Sequence, residues 1–348
     1  MGSPVSEPEI RRDTVLDRWV IVAAHRAKRP SEDKEKLSVC PFCPGNELMT
    51  PPASLVYVQD GGVVKKLSDK GDERVKGWLV RCFSNLYPAL KSDLGFEELV
   101  SEVYVLGGVA YTGFGYHEVI VESPNHKAHP PATSLKQLEL VMEAYFDVMT
   151  RLSYEKDVKY VCLFRNYKPE AGASLSHPHS QVIALPVVPS SVRREVEAFR
   201  RYNRERGGCI LCDLVEMELG GPRLIYADKY FVVLAPWASL HPYEFWIIPR
   251  RHEASFINTH PRERRALARV LKATLTALKR LFNDPPYNYG FHVAPPRWRG
   301  ESYHWHVEVY PKLAVHAGFE LSTGMYINTA PPEKAAEAMR LEIERLGY

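Results

Sequence analysis

Apolar positions along the chain recur at two spacings, one typical of strands and the other of helices. Apolar residues three or four apart predict helices over 134–154, 190–207, 261–282 and 333–346, the first with Ser134 and Gln137 as a capping box. Runs rich in β-branched and aromatic residues predict strands at 17–22, 79–83, 115–122, 159–165, 182–185, 224–227, 231–234, 244–249, 289–292 and 303–310. This mixture predicts an α+β fold.

The order of these elements and of their motifs repeats along the chain. Each half has a Cys-x-x-Cys pair, a strand followed by proline and histidine, a long helix, and a strand with His-x-His. The first histidine of the His-x-His motif follows the earlier histidine by 51 residues in one half and by 52 in the other. The repeat predicts two tandem halves, residues 1–208 and 209–348.

The composition is that of a globular protein, with 45% apolar and 25% charged residues among 348. A net charge of only +3 argues against a nucleic-acid partner. No apolar run is long enough to span a bilayer, and the N-terminus lacks the apolar core of a signal peptide. We therefore expect a cytoplasmic protein without a membrane partner.

Four of the six cysteines lie in the two Cys-x-x-Cys pairs. In a cytosolic chain such pairs are more typical of metal sites than of disulfides. Together with the repeated histidines, they predict two sites of four ligands, namely Cys40, Cys43, His126 and His177 in the first half and Cys209, Cys212, His252 and His304 in the second. Two thiolates and two imidazoles suit tetrahedral zinc, and four protein ligands predict a structural role. A buried thiol pair or a disulfide is the alternative at each site.

The segment at 174–181 reads Ser-Leu-Ser-His-Pro-His-Ser-Gln. Because side chains alternate along a strand, His177, His179 and Gln181 are expected on one side; the alternative is a pair of surface histidines. A neutral imidazole nitrogen is a competent nucleophile toward phosphorus, and a neighbouring amide can donate to a phosphoryl oxygen. Since the repeat assigns His177 to the metal, His179 is the predicted nucleophile. The second half has Glu308 in place of Gln181, and a carboxylate repels phosphate.

These motifs together resemble those of the galactose-1-phosphate uridylyltransferases, a nucleotidyltransferase branch of the histidine-triad superfamily. The matching residues are Cys-x-x-Cys, Ser-Pro-Asn-His at 123–126 and Gly-x-Ser-x-x-His-Pro-His-x-Gln at 172–181, and the resemblance covers both halves. It implies two histidine-triad-like halves, each a mainly antiparallel sheet with helices packed on it. In the superfamily, glutamine at position 181 is typical of transferases, whereas histidine there is typical of hydrolases.

The resemblance implies a ping-pong exchange of UMP between UDP-glucose and galactose 1-phosphate. His179 would attack the α-phosphorus and form a uridylyl-histidine, while the backbone carbonyl of His177 holds its other nitrogen. Gln181 and Ser174 would bind the phosphoryl oxygens. The phosphate of galactose 1-phosphate would then attack the intermediate and give UDP-galactose.

Other positions match substrate-binding residues of the family. They are Asn166 and Gly172 in the loop around the nucleotide phosphates, and Asn85 and Tyr87 in the nucleoside-binding segment, where Leu86 replaces an acidic residue. The basic turn at 25–30 would otherwise be a solvated loop. Its Arg26 and Arg29 match arginines that reach the partner's nucleotide across a dimer, which implies a homodimer.

Two features leave alternatives open. The better-known bacterial members lack the second Cys-x-x-Cys pair and instead hold a metal with one glutamate and three histidines, which match Glu195, His292, His304 and His306. The repeat favours the cysteine set for His304, so the second metal is predicted to be zinc, with iron as the alternative. Ser180 and the Ala-Leu-Pro-Val-Val-Pro that follows resemble a plant-type relative that transfers adenylyl groups from ADP-glucose to phosphate.

Three functions therefore compete at this point. The first is the uridylyltransferase, and the second is an ADP-sugar phosphorylase or adenylyltransferase of the same superfamily. The third is a zinc-bearing nucleotide- or RNA-binding module without catalysis, against which the near-neutral charge and Gln181 argue.

Overall fold

The computed structural model describes residues 7–13, 18–28, 39–99, 108–298, 300 and 302–348. Its strands, in chain order, are β1 Glu9–Asp13, β2 Trp19–Val22, β3 Ala53–Asp60, β4 Val63–Leu67, β5 Trp78–Ser84, β6 Glu98–Leu99, β7 Gly108–Thr112, β8 Tyr116–Val121, β9 Tyr160–Tyr167, β10 His179–Leu185, β11 Leu224–Ala227, β12 Phe231–Leu234, β13 Phe245–Pro249, β14 Tyr287–His292 and β15 His306–Pro311. Its α-helices are α1 Leu135–Ser153, α2 Ser190–Arg206, α3 Ile210–Glu218, α4 Pro261–Phe282, α5 Gly318–Thr323 and α6 Pro332–Arg345.

One long sheet runs through most of these strands, in the order β11-β12-β13-β15-β14-β9-β10-β8-β5-β3-β4. Every pair of neighbours in it is antiparallel. A smaller antiparallel sheet has the order β2-β1-β7-β6. The predicted α+β class and the mainly antiparallel pairing are therefore confirmed.

The pairing of β14 with β9 joins the two repeats edge to edge within the long sheet. From this junction, the order β9-β10-β8-β5-β3 in the first repeat corresponds to β14-β15-β13-β12-β11 in the second. The strand order thus agrees with the repeat of motifs in the sequence. Because the sheet is continuous across the junction, the division of the chain into domains at residue 208 stays a prediction.

Helices α1 and α4 occupy equivalent places in the two repeats and pack against each other. Each is amphipathic, and the apolar stripe of α1 is buried, with Leu138, Val141, Met142, Tyr145 and Val148 among its residues. Burying one such side chain contributes about 1.5–3 kcal/mol to folding. This packing holds the two halves of the sheet in one hydrophobic core.

The capping box predicted at the start of α1 is only half present. The hydroxyl of Ser134 accepts a hydrogen bond from the backbone N–H of Gln137, as predicted. The side chain of Gln137, however, donates to the backbone carbonyls of Leu79 and Glu122 instead of returning to the N-cap. Its amide therefore ties α1 to strand β5 and to the end of β8.

Strand β10 begins at His179, so His177 precedes the strand and the predicted alternation does not apply to it. The equivalent strand β15 likewise begins at His306, three residues later than the sequence predicts. The residues before it leave the strand because His304 turns toward the second cysteine pair. Sequence patterns also missed helix α3, which begins within the second Cys-x-x-Cys pair.

Within the described residues, no helix is both long enough and apolar enough to cross a membrane. The cytoplasmic location stays a prediction.

The buried carboxylate of Asp69 supplies a stability test. Its oxygens accept hydrogen bonds from the backbone N–H groups of Ala53 at 2.8 Å and Val75 at 2.9 Å and from Arg81 at 2.6 Å. Burial alone raises the pKa of Asp69, but these three hydrogen bonds outweigh it and lower the pKa below 3.8. Asp69→Asn is expected to cost about 3–5 kcal/mol of unfolding free energy, because buried Arg81 loses its counter-ion.

The lowered folded-state pKa gives this loss a defined pH dependence. The stabilisation by the Asp69 carboxylate is present above its unfolded-state pKa of about 4 and is lost as the pH falls through the lower folded-state value. Denaturant unfolding between pH 3 and 7 measures the free energy of unfolding of wild type and of Asp69→Asn. The difference between the two free energies should shrink below about pH 4. A pH-independent difference would contradict the assignment. The exposed Asp60 supplies the matched control, because Asp60→Asn should change stability by less than about 0.5 kcal/mol.

Candidate active site

His179 is the first residue of β10, and a hydrogen bond to the backbone of His177 fixes the orientation of its ring. Its Nδ1 lies 2.8 Å from the carbonyl oxygen of His177. A carbonyl oxygen only accepts hydrogen bonds, so Nδ1 carries the proton and Nε2 keeps the lone pair. The ring of Phe42 packs edge-on against the imidazole, with centroids 5.4 Å apart. A histidine nucleophile requires this tautomer, with the proton on Nδ1 and the lone pair on Nε2.

The side chain of Gln181 is oriented by His117, a residue that the sequence did not single out. The backbone N–H of Ala89 donates to His117 Nδ1 at 2.9 Å, so His117 Nε2 carries its proton. That nitrogen lies 2.9 Å from Gln181 Oε1 and donates to it. The amide NH₂ of Gln181 is thereby turned out as a donor toward a ligand at His179.

Two cavities of about 200 Å³ each meet at His179. Both are lined by Ser174, Leu175 and His179. One cavity is mainly apolar, and its lining includes Phe42, Met49, Phe83, Leu86 and Val119 together with Asn85, Tyr87 and Gln181. The other cavity has more polar and charged side chains in its lining, among them His129, Arg165, Asn166, Lys168 and His177, and is called the polar cavity below. The arrangement offers a flat apolar group and a phosphorylated group separate places on either side of the predicted nucleophile.

Strand β14 of the second half holds two features of the first half in place, namely Asn166, which lies near the end of β9 and not in the predicted loop, and the turn that ends at Gly172. Asn288 on β14 donates to Asn166 Oδ1 at 2.8 Å and to the carbonyl of Ala171 at 2.7 Å. Gly172 has a φ of +85°, a conformation that favours glycine, and a Cβ there would lie 3.8 Å from the amide nitrogen of Asn166. The pairing of the two halves therefore shapes this edge of the polar cavity.

A buried polar network lies beneath the start of β10. Glu122 pairs with Arg165 and accepts hydrogen bonds from the hydroxyls of Tyr145 and Ser180, both at 2.6 Å. Arg165 also donates to the carbonyl of His179 at 3.3 Å. These hydrogen bonds and the ion pair hold the backbone that carries His179 in place. Ser180, one of the residues that resemble the plant-type relative, thus belongs to the network beneath His179.

The first predicted set of metal ligands converges in space. The distances from sulfur to Nδ1 are 3.7 Å for Cys40 and His177, 3.6 Å for Cys43 and His177, and 3.4 Å for Cys43 and His126. The Nε2 atom of His177 lies 2.8 Å from the carbonyl oxygen of Ser123, and burial lowers the pKa of His177 to about 4. A neutral ring with a fixed tautomer is suited to ligate a metal ion.

The second set converges in the same way. His304 Nδ1 lies 3.7 Å from the sulfur of Cys209 and 3.4 Å from that of Cys212, and His252 Nδ1 lies 3.4 Å from Cys212. His304 Nε2 lies 2.9 Å from the carbonyl oxygen of Pro249. Both sets could therefore hold a metal ion with two thiolates and two imidazoles.

The alternative set does not gather around His304. Glu195, His292 and His306 lie close enough to one another to share an ion, but His304 belongs to the cysteine set. His292 Nδ1 is 3.1 Å from a carboxylate oxygen of Glu195. The one histidine claimed by both predictions is thus placed with the cysteines.

Comparison with known proteins finds similar sequences over nearly the whole chain. A family model described as a domain of unknown function, DUF4921, matches residues 130–347. The ADP-glucose phosphorylase of Arabidopsis thaliana is 34% identical over 346 residues, which cover 96% of this chain and 92% of that protein. The galactose-1-phosphate uridylyltransferase of Thermotoga maritima is 31% identical over 350 residues, which cover 95% of this chain and 98% of that protein.

The chain belongs to the galactose-1-phosphate uridylyltransferase family. A solved uridylyltransferase structure, 28% identical, matches 97% of this chain and 99% of its own with a TM-score of 0.81. The predicted resemblance is therefore confirmed, and the chain is a transferase of this family.

Within this uridylyltransferase-family fold, the second repeat carries a partial copy of the arrangement around His179. His306 Nδ1 lies 3.1 Å from the carbonyl oxygen of His304, as His179 does with His177. Its Nε2, however, lies 3.1 Å from the carboxylate of Glu308, which stands where the first repeat has Gln181. A nitrogen engaged by a carboxylate is unsuited to receive a phosphoryl group.

The arginines that the uridylyltransferase-family resemblance assigned to a dimer contact are only partly described. Arg26, in the 3₁₀-helix Ala24–Lys28, donates to the carbonyl of Tyr87 in its own chain and therefore packs on the segment that is predicted to bind the nucleoside. Arg29 lies outside the described residues. Their reach toward a partner stays a prediction.

Proposed function

We propose that the chain is a nucleotidyltransferase that exchanges UMP between UDP-glucose and galactose 1-phosphate through a uridylyl group on His179. The observation that carries this proposal is the fixed tautomer of His179, with a lone pair on Nε2 at the meeting point of the two cavities. Relatives named as galactose-1-phosphate uridylyltransferases and their solved structures support the choice of substrates.

In the first half of the reaction, Nε2 of His179 attacks the α-phosphorus of UDP-glucose. The bond from phosphorus to the bridging oxygen breaks, and glucose 1-phosphate departs as a stable anion. The ring becomes positively charged as the new P–N bond forms, and the carbonyl of His177 accepts from Nδ1–H and stabilises that charge. The Gln181 amide and the Ser174 hydroxyl donate to the phosphoryl oxygens without adding charge.

In the second half, a phosphate oxygen of galactose 1-phosphate attacks the same phosphorus. The P–N bond breaks, UDP-galactose forms, and His179 returns to its neutral state. Neither half-reaction transfers a proton to or from a leaving group, so the site requires no general acid. This agrees with the neutral donors that surround His179.

A second candidate is an ADP-glucose phosphorylase, in which His179 carries AMP and inorganic phosphate is the acceptor. It is favoured by the 34% identity to the Arabidopsis enzyme of that name. The apolar lining of the nucleoside cavity, with Leu86 where an acidic residue was expected, is compatible with stacking of either base. The covalent chemistry is the same in both candidates.

The substrate pair decides between the two. Purified protein incubated with UDP-glucose and galactose 1-phosphate is expected to release glucose 1-phosphate and UDP-galactose. In a parallel incubation, ADP-glucose and inorganic phosphate should react at a rate lower by about tenfold or more, a difference of about 1.4 kcal/mol in transition-state binding. Faster phosphorolysis of ADP-glucose would establish the second candidate instead.

We also propose zinc at both cysteine sets. With bond lengths of about 2.3 Å to sulfur and about 2.0 Å to nitrogen, tetrahedral zinc holds a sulfur and a nitrogen ligand about 3.5 Å apart. The sulfur–nitrogen separations of 3.4 to 3.7 Å in both sets agree with that value. A bound ion would join the first cysteine pair to His177, whose carbonyl holds the nucleophile.

A homodimer is the proposed assembly. The segment at 315–327 supports it, because large apolar side chains are exposed along it, namely Val315, Phe319, Leu321, Met325, Tyr326 and Ile327. The proposed partners are otherwise the nucleotide sugar and the hexose 1-phosphate.

A further inference from the structure

His129 lines the polar cavity, and the mechanism above gives it no role. It lies in the loop between β8 and α1, with its ring packed edge-on against Tyr167 at 4.5 Å between centroids. The loop is rigidly held, since the carbonyl of His129 accepts from the N–H groups of Ala132 and Thr133 at 2.8 and 2.9 Å. Lys272 on α4 donates to the carbonyl of Thr133 at 2.6 Å. The second repeat thus helps to position this ring.

One ring nitrogen of His129 is committed to the buried network. Arg165 donates to Nδ1 at 2.8 Å, and because a guanidinium only donates, the proton of the neutral ring is on Nε2. Burial, with a smaller effect of the Arg165 charge, lowers the pKa of His129 to about 3. The ring therefore stays neutral at every pH at which the enzyme is expected to work.

The other nitrogen remains available to a ligand. Among the residues that the structure describes, none accepts a hydrogen bond from Nε2 of His129. The cations beside it are already paired, since Arg165 binds Glu122 and Lys168 Nζ lies 2.9 Å from the carboxylate of Asp284. The polar cavity therefore presents neutral hydrogen-bond donors, and its cationic side chains are already paired with carboxylates.

The geometry points to the Nε2–H of His129 as a hydrogen-bond donor to the phosphoryl group that bears the sugar, both in the nucleotide sugar and in the acceptor phosphate. The inference rests on the proposed function, because it takes the apolar cavity as the place of the nucleoside. The polar cavity is then left for the second phosphate. A neutral donor suits a group that must bind and leave in every turnover, since it adds no charge that would hold the product.

Substitutions of His129 separate a ligand contact from a merely structural one. His129→Phe preserves an aromatic ring against Tyr167 but lacks both the donor and the acceptor, and His129→Met is a second apolar variant should the first fail to fold. His129→Gln keeps an oxygen to accept from Arg165 and an N–H to donate. If the ring only supported Arg165, the apolar variants would lower stability without changing affinity for any phosphate.

Binding is measured by calorimetry in a His179→Ala background, in which UDP-glucose is not consumed. His129→Phe is expected to lower the affinity for UDP-glucose by about tenfold to a hundredfold, which corresponds to the loss of one hydrogen bond to a charged acceptor. Its affinity for UMP, which lacks the sugar-bearing phosphate, should change by less than about twofold, a difference near 0.4 kcal/mol. His129→Gln should restore most of the affinity for UDP-glucose. Equal losses for UMP and UDP-glucose, or none for either, would overturn the inference.

The acceptor is tested with His179 intact and nucleotidylated. The KM for galactose 1-phosphate should rise about tenfold or more in His129→Phe, and inorganic phosphate, used as a slow acceptor, should show a similar increase. An increase for the sugar phosphate alone would place His129 at the sugar hydroxyls and overturn the phosphate assignment. Failure of the wild type to form a nucleotidyl-enzyme with any nucleotide sugar would instead contradict the proposed function, so the two failures are distinguishable.

Discussion

Replacing His179 with alanine is expected to lower the rate of nucleotidyl transfer by about 10⁴-fold or more. The reason is that no other described side chain combines an unprotonated ring nitrogen with a position between the two cavities. Water in the space left by the ring cannot replace the histidine. It would hydrolyse the nucleotide sugar and release the nucleoside monophosphate, so no nucleotidyl group would remain for the acceptor. The measurement is exchange of label between UDP-glucose and glucose 1-phosphate, which reports the first half-reaction alone.

The fold should survive this substitution. The ring of His179 hydrogen-bonds to a backbone carbonyl and not to the buried network, so the Glu122–Arg165 pair remains intact. We expect the metal content to be unchanged and the unfolding free energy to change by no more than about 1–2 kcal/mol. The matched control is His306→Ala in the second repeat, which should keep label exchange because the Nε2 of His306 is engaged by Glu308. Exchange retained by His179→Ala, or lost only in His306→Ala, would contradict the assignment.

Removing one thiolate is expected to lower the rate of transfer more at the first metal set than at the second. Cys43→Ser and Cys212→Ser should each reduce the metal content from two zinc ions per chain to one, because each cysteine contacts both histidines of its set. Structural zinc contributes on the order of 10 kcal/mol to the folding of small domains, so both variants should melt at a lower temperature. Only Cys43→Ser frees His177, and with it the carbonyl that orients His179.

Transfer should therefore fall by about a hundredfold or more in Cys43→Ser and by less than about tenfold in Cys212→Ser, both measured below their melting temperatures. Elemental analysis gives the metal identity and number. His292→Ala is the control for the alternative set, and it should retain two zinc ions. Loss of the second metal in His292→Ala, or its retention in Cys212→Ser, would mean that the glutamate-containing cluster is the second site.

The sequence was a good guide where a motif recurs in both halves. The repeat separated His177 from His179 and assigned His304 to the cysteines, and the structure places all three accordingly. Periodicity likewise located helices α2 and α4 within a residue of their ends, because each has a long amphipathic stripe and a clear stop at Gly207 or Asn283.

Contacts made once, between distant parts of the chain, were not predictable in this way. His117 and His129 are single histidines without a counterpart motif, and their roles depend on which strand or loop lies beside them. The Glu122–Arg165 pair is 43 residues apart and arises only when β8, β9 and β10 are adjacent in the sheet. Gln137 looked like a capping residue because local sequence cannot show that two carbonyls from other elements compete for its amide.

We expect His179 to carry the nucleoside monophosphate during turnover. The most direct measurement is the mass of the protein after brief exposure to a mixture of UDP-glucose and ADP-glucose without acceptor, followed by peptide mapping at neutral or alkaline pH. We expect an added uridylyl group on the peptide that contains His179; this group should be absent from His179→Ala and should be removed by galactose 1-phosphate. An adenylyl group at the same residue would change the substrate but not the mechanism. No adduct, or an adduct on any other residue, would contradict the account.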